Sequence, residues 1–242
     1  MKNSIHKSSL LISSKKGVYS RRYDDIYFDK TDGVKEKEHV YLNANDLANR
    51  IQFSSKLCIA ELGFGTGLNF ILTWRLWKKN RKLNSSLTYI SFEKAPLSKK
   101  EMVRIYKEFK ELNNFSDQLI KKLTDNYKTN RTIYFKSENI NLILIYDDFS
   151  SLTNFAFKAD IWFLDGFAPR KNPEAWDSNY YKNIYNRTNL KGSLSTFTSS
   201  GSVRRGLALA GFSVTKVSGF GQKREMLKAI KNEPEIKLKV NT

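Results

Sequence analysis

Glu61-Leu62-Gly63-Phe64-Gly65-Thr66-Gly67-Leu68-Asn69-Phe70 is the stretch that decides the fold. The run before it, Leu57-Cys58-Ile59-Ala60, is apolar and reads as a buried strand. The run after it, Phe70-Ile71-Leu72-Thr73-Trp74-Arg75-Leu76-Trp77, reads as a helix with an apolar face. A strand that turns through glycines into a helix brings bare backbone against a ligand. Beyond residue 56 the pattern repeats, with strands expected at 57–62, 88–93, 141–147, 159–165 and 192–198. Helices are expected at 68–79, 98–112, 115–125, 174–187 and 201–210. Such alternation predicts an α/β fold, a mostly parallel sheet with helices on both faces. The tail, Phe212 to Val217 and Arg224 to Ile230, reads as a closing hairpin and supplies an antiparallel edge strand. Residues 1–50 form an N-terminal extension with short strands at Gly17-Val18-Tyr19-Ser20 and Ile26-Tyr27-Phe28 and a short helix. Residues 51–242 form the main domain.

The glycine spacing narrows the ligand. Dinucleotide sites use G-x-G-x-x-G, and here the third glycine of that pattern is replaced by Leu68. Gly63, Gly65 and Gly67 give G-x-G-x-G with Glu61 just ahead, the spacing seen in S-adenosylmethionine enzymes of the Rossmann-like type. The second strand, Thr88-Tyr89-Ile90-Ser91-Phe92, delivers Glu93, a carboxylate able to accept from both hydroxyls of a ribose. The third, Leu142-Ile143-Leu144-Ile145-Tyr146, delivers Asp147-Asp148, one of which could accept from an adenine amino group. A glycine triplet alone also serves as an ordinary tight turn. Carboxylates at successive strand ends favour a ligand site, because open α/β sheets bind ligands there.

The fourth strand and its loop are the second dense region: Asp160-Ile161-Trp162-Phe163-Leu164-Asp165-Gly166-Phe167-Ala168-Pro169-Arg170-Lys171-Asn172-Pro173-Glu174-Ala175-Trp176. An apolar strand carries Asp165 to the sheet edge, and Pro173 suits the first turn of the next helix. In methyl transfer to an amine the attacking nitrogen must be neutral. A neighbouring carboxylate orients its N–H bonds and stabilises the charge that develops. Asp165 is the candidate for that contact; capping of a local turn is the competing role. Aromatic neighbours can sandwich a base or attract a sulfonium.

Lys and Arg total 42 against 24 Asp and Glu, a net charge of +18 that favours a polyanionic partner, most simply nucleic acid. Arg21-Arg22, Arg170-Lys171, Arg204-Arg205 and Lys223-Arg224 recur near expected loops and would form a phosphate-binding rim if they surround the cofactor mouth. Taken singly, each is a solvated surface pair. A single cysteine, Cys58, and two histidines, His6 and His39, leave no disulfide framework and disfavour a zinc site or a histidine triad. No run reaches the length of a membrane span and no apolar signal core opens the chain, so a cytoplasmic protein is expected.

Taken together, Ser20 through Phe28, Glu61 through Phe70, Ser91-Phe92-Glu93-Lys94, Trp162 through Trp176, Thr196-Phe197-Thr198-Ser199, Val203 through Leu207, Ala210-Gly211-Phe212 and Gly219 through Leu227 resemble one family. It is the methyltransferase half of the bifunctional tRNA 5-methylaminomethyl-2-thiouridine biosynthesis proteins. The resemblance implies a Rossmann-like S-adenosylmethionine-dependent methyltransferase with a seven-stranded sheet. It implies methyl transfer to the aminomethyl nitrogen of wobble uridine 34, with tRNA, through its anticodon stem-loop, as partner. Cofactor positions carried over are Glu61, Gly63, Gly65, Gly67 and Asn69 in the glycine loop, Glu93 and Lys94 after the second strand, and Asp148 at the adenine end. Asp165 and Phe167 would face the acceptor, with Tyr23, Asp24 and Asp25 opposite, and Arg204, Lys223 and Arg224 would contact the nucleic acid.

Two departures stand out. The family has Gly-Asp after the third strand; here the pair is Asp147-Asp148, and the added carboxylate is expected to crowd the adenine end. The bifunctional proteins continue into a flavin-dependent oxidase, whereas this sequence ends at Thr242 without a second dinucleotide motif. The resemblance is thus to a stand-alone form, expected to need no FAD, no metal and no obligate protein partner. The competing readings are an aminopropyltransferase or nicotinamide dehydrogenase on the same scaffold, and a non-catalytic RNA-binding module. The glycine spacing disfavours the dehydrogenase, the basic surface disfavours a polyamine product, and an RNA-binding module gives no account of Glu93 or Asp165.

Overall fold

The computed structural model describes residues 10–13, 17–29, 31–128 and 130–233. Three short strands, β1 (Leu10–Ser13), β2 (Gly17–Ser20) and β3 (Asp25–Phe28), form a small antiparallel sheet. Helix α1 (Gly33–Lys37) runs into a π-helical turn (Glu38–Asn43), and α2 (Leu47–Phe53) follows. The main unit then alternates: β4 (Lys56–Leu62), α3 (Leu68–Asn80), β5 (Ser86–Phe92), α4 (Lys99–Tyr106), α5 (Asn113–Lys122), β6 (Arg131–Phe135) and β7 (Ile140–Ile145). It continues with β8 (Ala159–Leu164), α6 (Ser178–Asn186), β9 (Thr188–Thr196), α7 (Gly201–Ala210), β10 (Ser213–Ser218) and β11 (Glu225–Ile230).

The main sheet has the order β10-β11-β9-β8-β4-β5-β7-β6. The central strands β9, β8, β4, β5 and β7 pair in parallel, and the closing hairpin adds β11 antiparallel to β9. Among the described residues the sheet has eight strands where seven were expected. The addition is β6, antiparallel to β7 at the far edge. In Arg131-Thr132-Ile133-Tyr134-Phe135 only Ile133 and Phe135 are buried, so too few apolar positions announce the strand.

Strand alternation sorts the core into two layers. Leu57, Ile59, Leu87, Tyr89, Ile161 and Phe163 pack under α3, α4 and α5 with Phe70, Trp74 and Ile105. Val18, Phe28, Val40 and Tyr41 of the first fifty residues belong to this same cluster. Ala60, Leu62, Ile90, Phe92, Trp162 and Leu164 face the other way, against Ile184 of α6 and Val203 and Leu207 of α7.

Two expected helices are broken. The expected helix 98–112 starts as read, with Ser98 and Glu101 forming a reciprocal capping box. It stops at Tyr106, because Phe109 leaves helical geometry (φ −125°, ψ 67°), and a single 3-10 turn leads into α5. Met102, Ile105, Tyr106 and Phe109 are buried as their spacing predicts. The expected helix 174–187 divides into a 3-10 turn over Pro173–Trp176 and α6, which Asp177 caps by accepting from the Asn179 N–H.

The chain leaves β4 through Gly63 at φ +96°. A methyl group there would stand 2.5 Å from the carbonyl oxygen of Asp165. Only glycine lets the two loops meet. Gly63→Ala is therefore expected to destabilise the fold by about 2 kcal/mol or more, read as a fall in the urea midpoint. An unchanged midpoint would contradict this close approach.

Candidate functional site

The carboxyl ends of the parallel strands lie in one row. Gly63 N donates to the Phe92 carbonyl at 2.9 Å, Glu93 N to Ile145 at 2.9 Å and Asp165 N to Leu62 at 3.1 Å. After β4 the chain moves outward on one side to β5 and β7, then returns to β8 on the other. The crevice at that reversal is where a ligand fits such a sheet. A cleft of about 920 Å³, its open mouth included, lies there.

Most of the residues read from the sequence meet at this cleft. Tyr23, Gly63, Gly65, Asn69, Glu93, Lys94, Asp148, Asp165 and Phe167 line it. Glu61 is buried behind it, linked through Asn69. Gly67 is the left-handed residue that starts α3. Asp24 and Asp25 act at the wall: Asp24 is bound by Tyr19 and Lys171, and Asp25 accepts from the Ala168 N–H at 3.0 Å. Arg204, Lys223 and Arg224 are exposed and do not line the cleft. Lys223 is engaged elsewhere, 2.8 Å from Glu36 and over the Phe197 ring. Asp147 is not among the cleft's lining residues; its carboxylate turns back to accept from the Asp148 N–H at 2.7 Å.

Glu93 holds the glycine loop. One oxygen accepts from Gly65 N and the other from Ala95 N, both at 2.7 Å. Burial pushes its carboxyl up, against the pull of those two N–H groups. Each oxygen keeps a lone pair for a hydroxyl. Asp148 caps the turn at Phe149–Asn154 and is 2.9 Å from Lys94 Nζ. Burial acts to raise it, but the Ser150 N–H and the Lys94 ammonium outweigh that and hold it below the usual carboxylate range.

Asp165 is held by three side chains. Lys37 Nζ stands 2.6 Å from both of its oxygens. The Tyr41 hydroxyl donates to Oδ1 at 2.8 Å, and Asn69 Nδ2 donates to Oδ2 at 2.7 Å. The same Asn69 amide donates to Glu61 at 2.9 Å, so its two hydrogens join two carboxyl groups. Burial, and then the Asp165 charge, push Tyr41 well above the usual phenol range, which keeps its hydroxyl a donor. Lys37 and Tyr41 were not read from the sequence. They lie at the junction of α1 and the π turn, where no motif marks them. Tyr27 and Phe149 are further lining residues the sequence did not single out, and Arg22, from one of the basic pairs read as a rim, also lines the cleft. On the outer wall Phe167 stacks on Tyr23 (centroids 4.4 Å apart) and meets the edge of Tyr27 at 5.0 Å.

The residues fit S-adenosylmethionine. Bare backbone at Gly63 and Gly65 permits close approach, and Glu93 and Asp148 offer acceptors to hydroxyl and amino groups. The buried Oδ1 of Asn69 has no partner among the described residues and is a further acceptor. No group of three or more metal-ligating side chains occurs among the described residues. No helix there is long and apolar enough to cross a membrane.

The chain belongs to a family of S-adenosyl-L-methionine-dependent methyltransferases, whose family model matches residues 110–232. It is 38% identical over 229 residues to the tRNA 5-methylaminomethyl-2-thiouridine biosynthesis bifunctional protein MnmC of Nitrosospira multiformis, covering 93% of this chain and 37% of that protein. To the protein of the same name from Marinomonas sp. it is 41% identical over 214 residues, 86% of this chain and 31% of that one. The chain thus spans about a third of the length of these curated relatives. Its fold matches the crystal structure of MnmC2 from Aquifex aeolicus with a TM-score of 0.71 at 23% identity, over 96% of this chain and 72% of that one.

Glu61 gives a pH test. Burial first, and then the Asp165 charge, push its carboxyl from 4.5 up to about 8. Between those values the folded chain holds a proton that the unfolded chain has lost, so stability falls as pH rises through the window. Glu61→Gln keeps an acceptor for Asn69 and removes this loss. The stability difference between about pH 5 and about pH 8.5, from urea titrations, should shrink by about 1 kcal/mol or more. An unchanged difference would show that Glu61 ionises normally.

Proposed function

We propose that this chain methylates the exocyclic amine of a 5-aminomethyl group on wobble uridine 34 of tRNA. The observation that carries the reading is Asp165, a carboxylate at the switch point of a methyltransferase sheet, flanked by the Tyr23–Phe167 aromatic wall. The names of the relatives supply the substrate class, and the chain's net charge of +18 suits a polyanionic acceptor.

When bound, S-adenosylmethionine supplies an electrophilic methyl on a cationic sulfur. The chain's residues divide the remaining tasks. Gly63 and Gly65 give backbone access, Glu93 accepts from the ribose hydroxyls, and Asp148 with Lys94 bounds the adenine end. Asn69 Oδ1 and Glu61 complete the methionine side. A base flipped out of the anticodon loop stacks on Phe167 and Tyr23, as enzymes acting on a base require. Asp165 orients the acceptor N–H bonds and stabilises the positive charge that grows on nitrogen. Arg22 at the mouth, with the exposed Arg204 and Arg224 farther out, contacts phosphates and steers the tRNA. No observation favours aminopropyl transfer, and an RNA-binding module without catalysis leaves the Asp165 cage without a use.

Purified protein is expected to transfer labelled methyl to tRNA carrying aminomethyl-uridine and not to unmodified tRNA. Mass analysis of wobble nucleosides should show the unmethylated amine accumulating in cells that lack the protein. Asp165→Asn should cut turnover by about 100-fold or more, with tRNA affinity within about threefold. Equal loss of turnover and affinity, or no accumulation of the amine, would contradict the reading. Tenfold or greater weakening of the tRNA complex between about 50 and 200 mM salt is expected from the phosphate contacts.

A further inference from the structure

The ion pair between Lys37 and Asp165 lies inside the cleft. Their side chains are 12% and 13% exposed, so little water screens them. Lys37 reaches Asp165 from the last residue of α1 and lies over the Tyr41 ring at 5.3 Å. A carboxylate offers about four lone-pair positions. On Asp165, Lys37 faces both oxygens, Tyr41 takes a second position on one and Asn69 a second on the other. An acceptor that reaches Asp165 therefore meets a carboxylate already saturated and already neutralised.

The consequence depends on the acceptor's charge. A primary alkyl amine is mostly the ammonium ion at neutral pH, and an ammonium ion has no lone pair for attack. A bare carboxylate would bind that inactive form best. With Lys37 in place, an ammonium ion would bring a second cation beside the first and find no free acceptor. A neutral amine needs only one of the two positions that Lys37 holds, and the lysine can yield one while keeping the other. We infer that Lys37 is a specificity-determining residue of this site: its fixed cation makes the cleft admit the acceptor amine in its uncharged form. The proton lost on entry goes to solvent through the open mouth. The assignment rests on an amine acceptor, as proposed above.

Other charged groups around Asp165 do not supply this cation. Glu61 from β4 is buried beside Asn69, and Glu36 from α1 is engaged by Lys223. Tyr41 from the π turn stays protonated. Lys94, after β5, is committed to Asp148 and Glu174, and Glu93 to backbone N–H groups. Arg22 is exposed at the mouth.

The test compares wild type, Lys37→Gln and Lys37→Arg, each first shown to be folded by thermal melting. Affinity for an anticodon stem-loop bearing 5-aminomethyl-uridine is divided by affinity for the unmodified stem-loop, with S-adenosylhomocysteine present, from about pH 6 to 9. For wild type and Lys37→Arg the ratio should rise about tenfold per pH unit below the amine's own pKa, because only the neutral form binds. For Lys37→Gln it should be nearly flat, and the acid limb of kcat should move up by about one unit or more. A Lys37→Gln ratio with the wild-type slope would overturn the assignment. So would an equal gain in affinity at every pH, the mark of a lysine that merely fills an empty pocket. Failure of wild type to methylate the aminomethyl stem-loop at any pH would overturn the substrate reading and this assignment with it. Methylation with unaltered pH dependence would overturn this assignment alone.

Discussion

The capture of the Asp165 carboxylate is the interaction on which the site depends. A charge held this far from water is costly unless it is paired and hydrogen-bonded on all sides. Lys37 and Tyr41 from one helical segment and Asn69 from α3 meet that requirement. The described residues among the first fifty are thereby fixed against the sheet. Their Val18, Phe28 and Tyr41 pack into the same core as Ile59 and Phe163, and their Tyr23, Tyr27 and Lys37 form one wall of the cleft. Asp25 completes the closure by holding the backbone of Ala168 in the loop that carries Phe167.

Charge is distributed in two zones that suit two different ligands. The cleft is lined by carboxylates, Glu93, Asp148 and Asp165, at the strand ends. The outside is basic, with a net charge of +18 over the whole chain, and it favours a polyanion. Lys37 and Lys94, two of the cations that line the cleft, are each paired with one of those carboxylates. The interior is thus close to balanced, which lets small changes in protonation alter what it binds.

The fold and the cofactor half of the cleft were legible because they rest on local patterns. Apolar runs ending in Gly63, Glu93, Asp148 and Asp165 state the strand ends directly, and parallel pairing brings such ends together. The terminal hairpin was legible for the same reason. Strand β6 was not, because only Ile133 and Phe135 face the core. The helix expected at 98–112 looked continuous because the apolar spacing of Met102, Ile105, Tyr106 and Phe109 survives the break at Phe109. The Asp165 cage was hidden for a deeper reason. Lys37 and Tyr41 are 128 and 124 residues away in sequence, and a lysine at the end of a short helix has no spacing that marks it. The basic pairs misled in part: Lys223 is turned to Glu36 and Phe197, away from the cleft lining.

The most direct measurement is a crystal structure with S-adenosylhomocysteine and an anticodon stem-loop bearing 5-aminomethyl-uridine. The account predicts the thioether lying over Gly63 and Gly65, the base against Phe167, and the amine nitrogen within hydrogen-bonding distance of Asp165 while Lys37 keeps one contact to the same carboxylate. An amine bound away from Asp165, with that side chain still held only by Lys37, Tyr41 and Asn69, would contradict it.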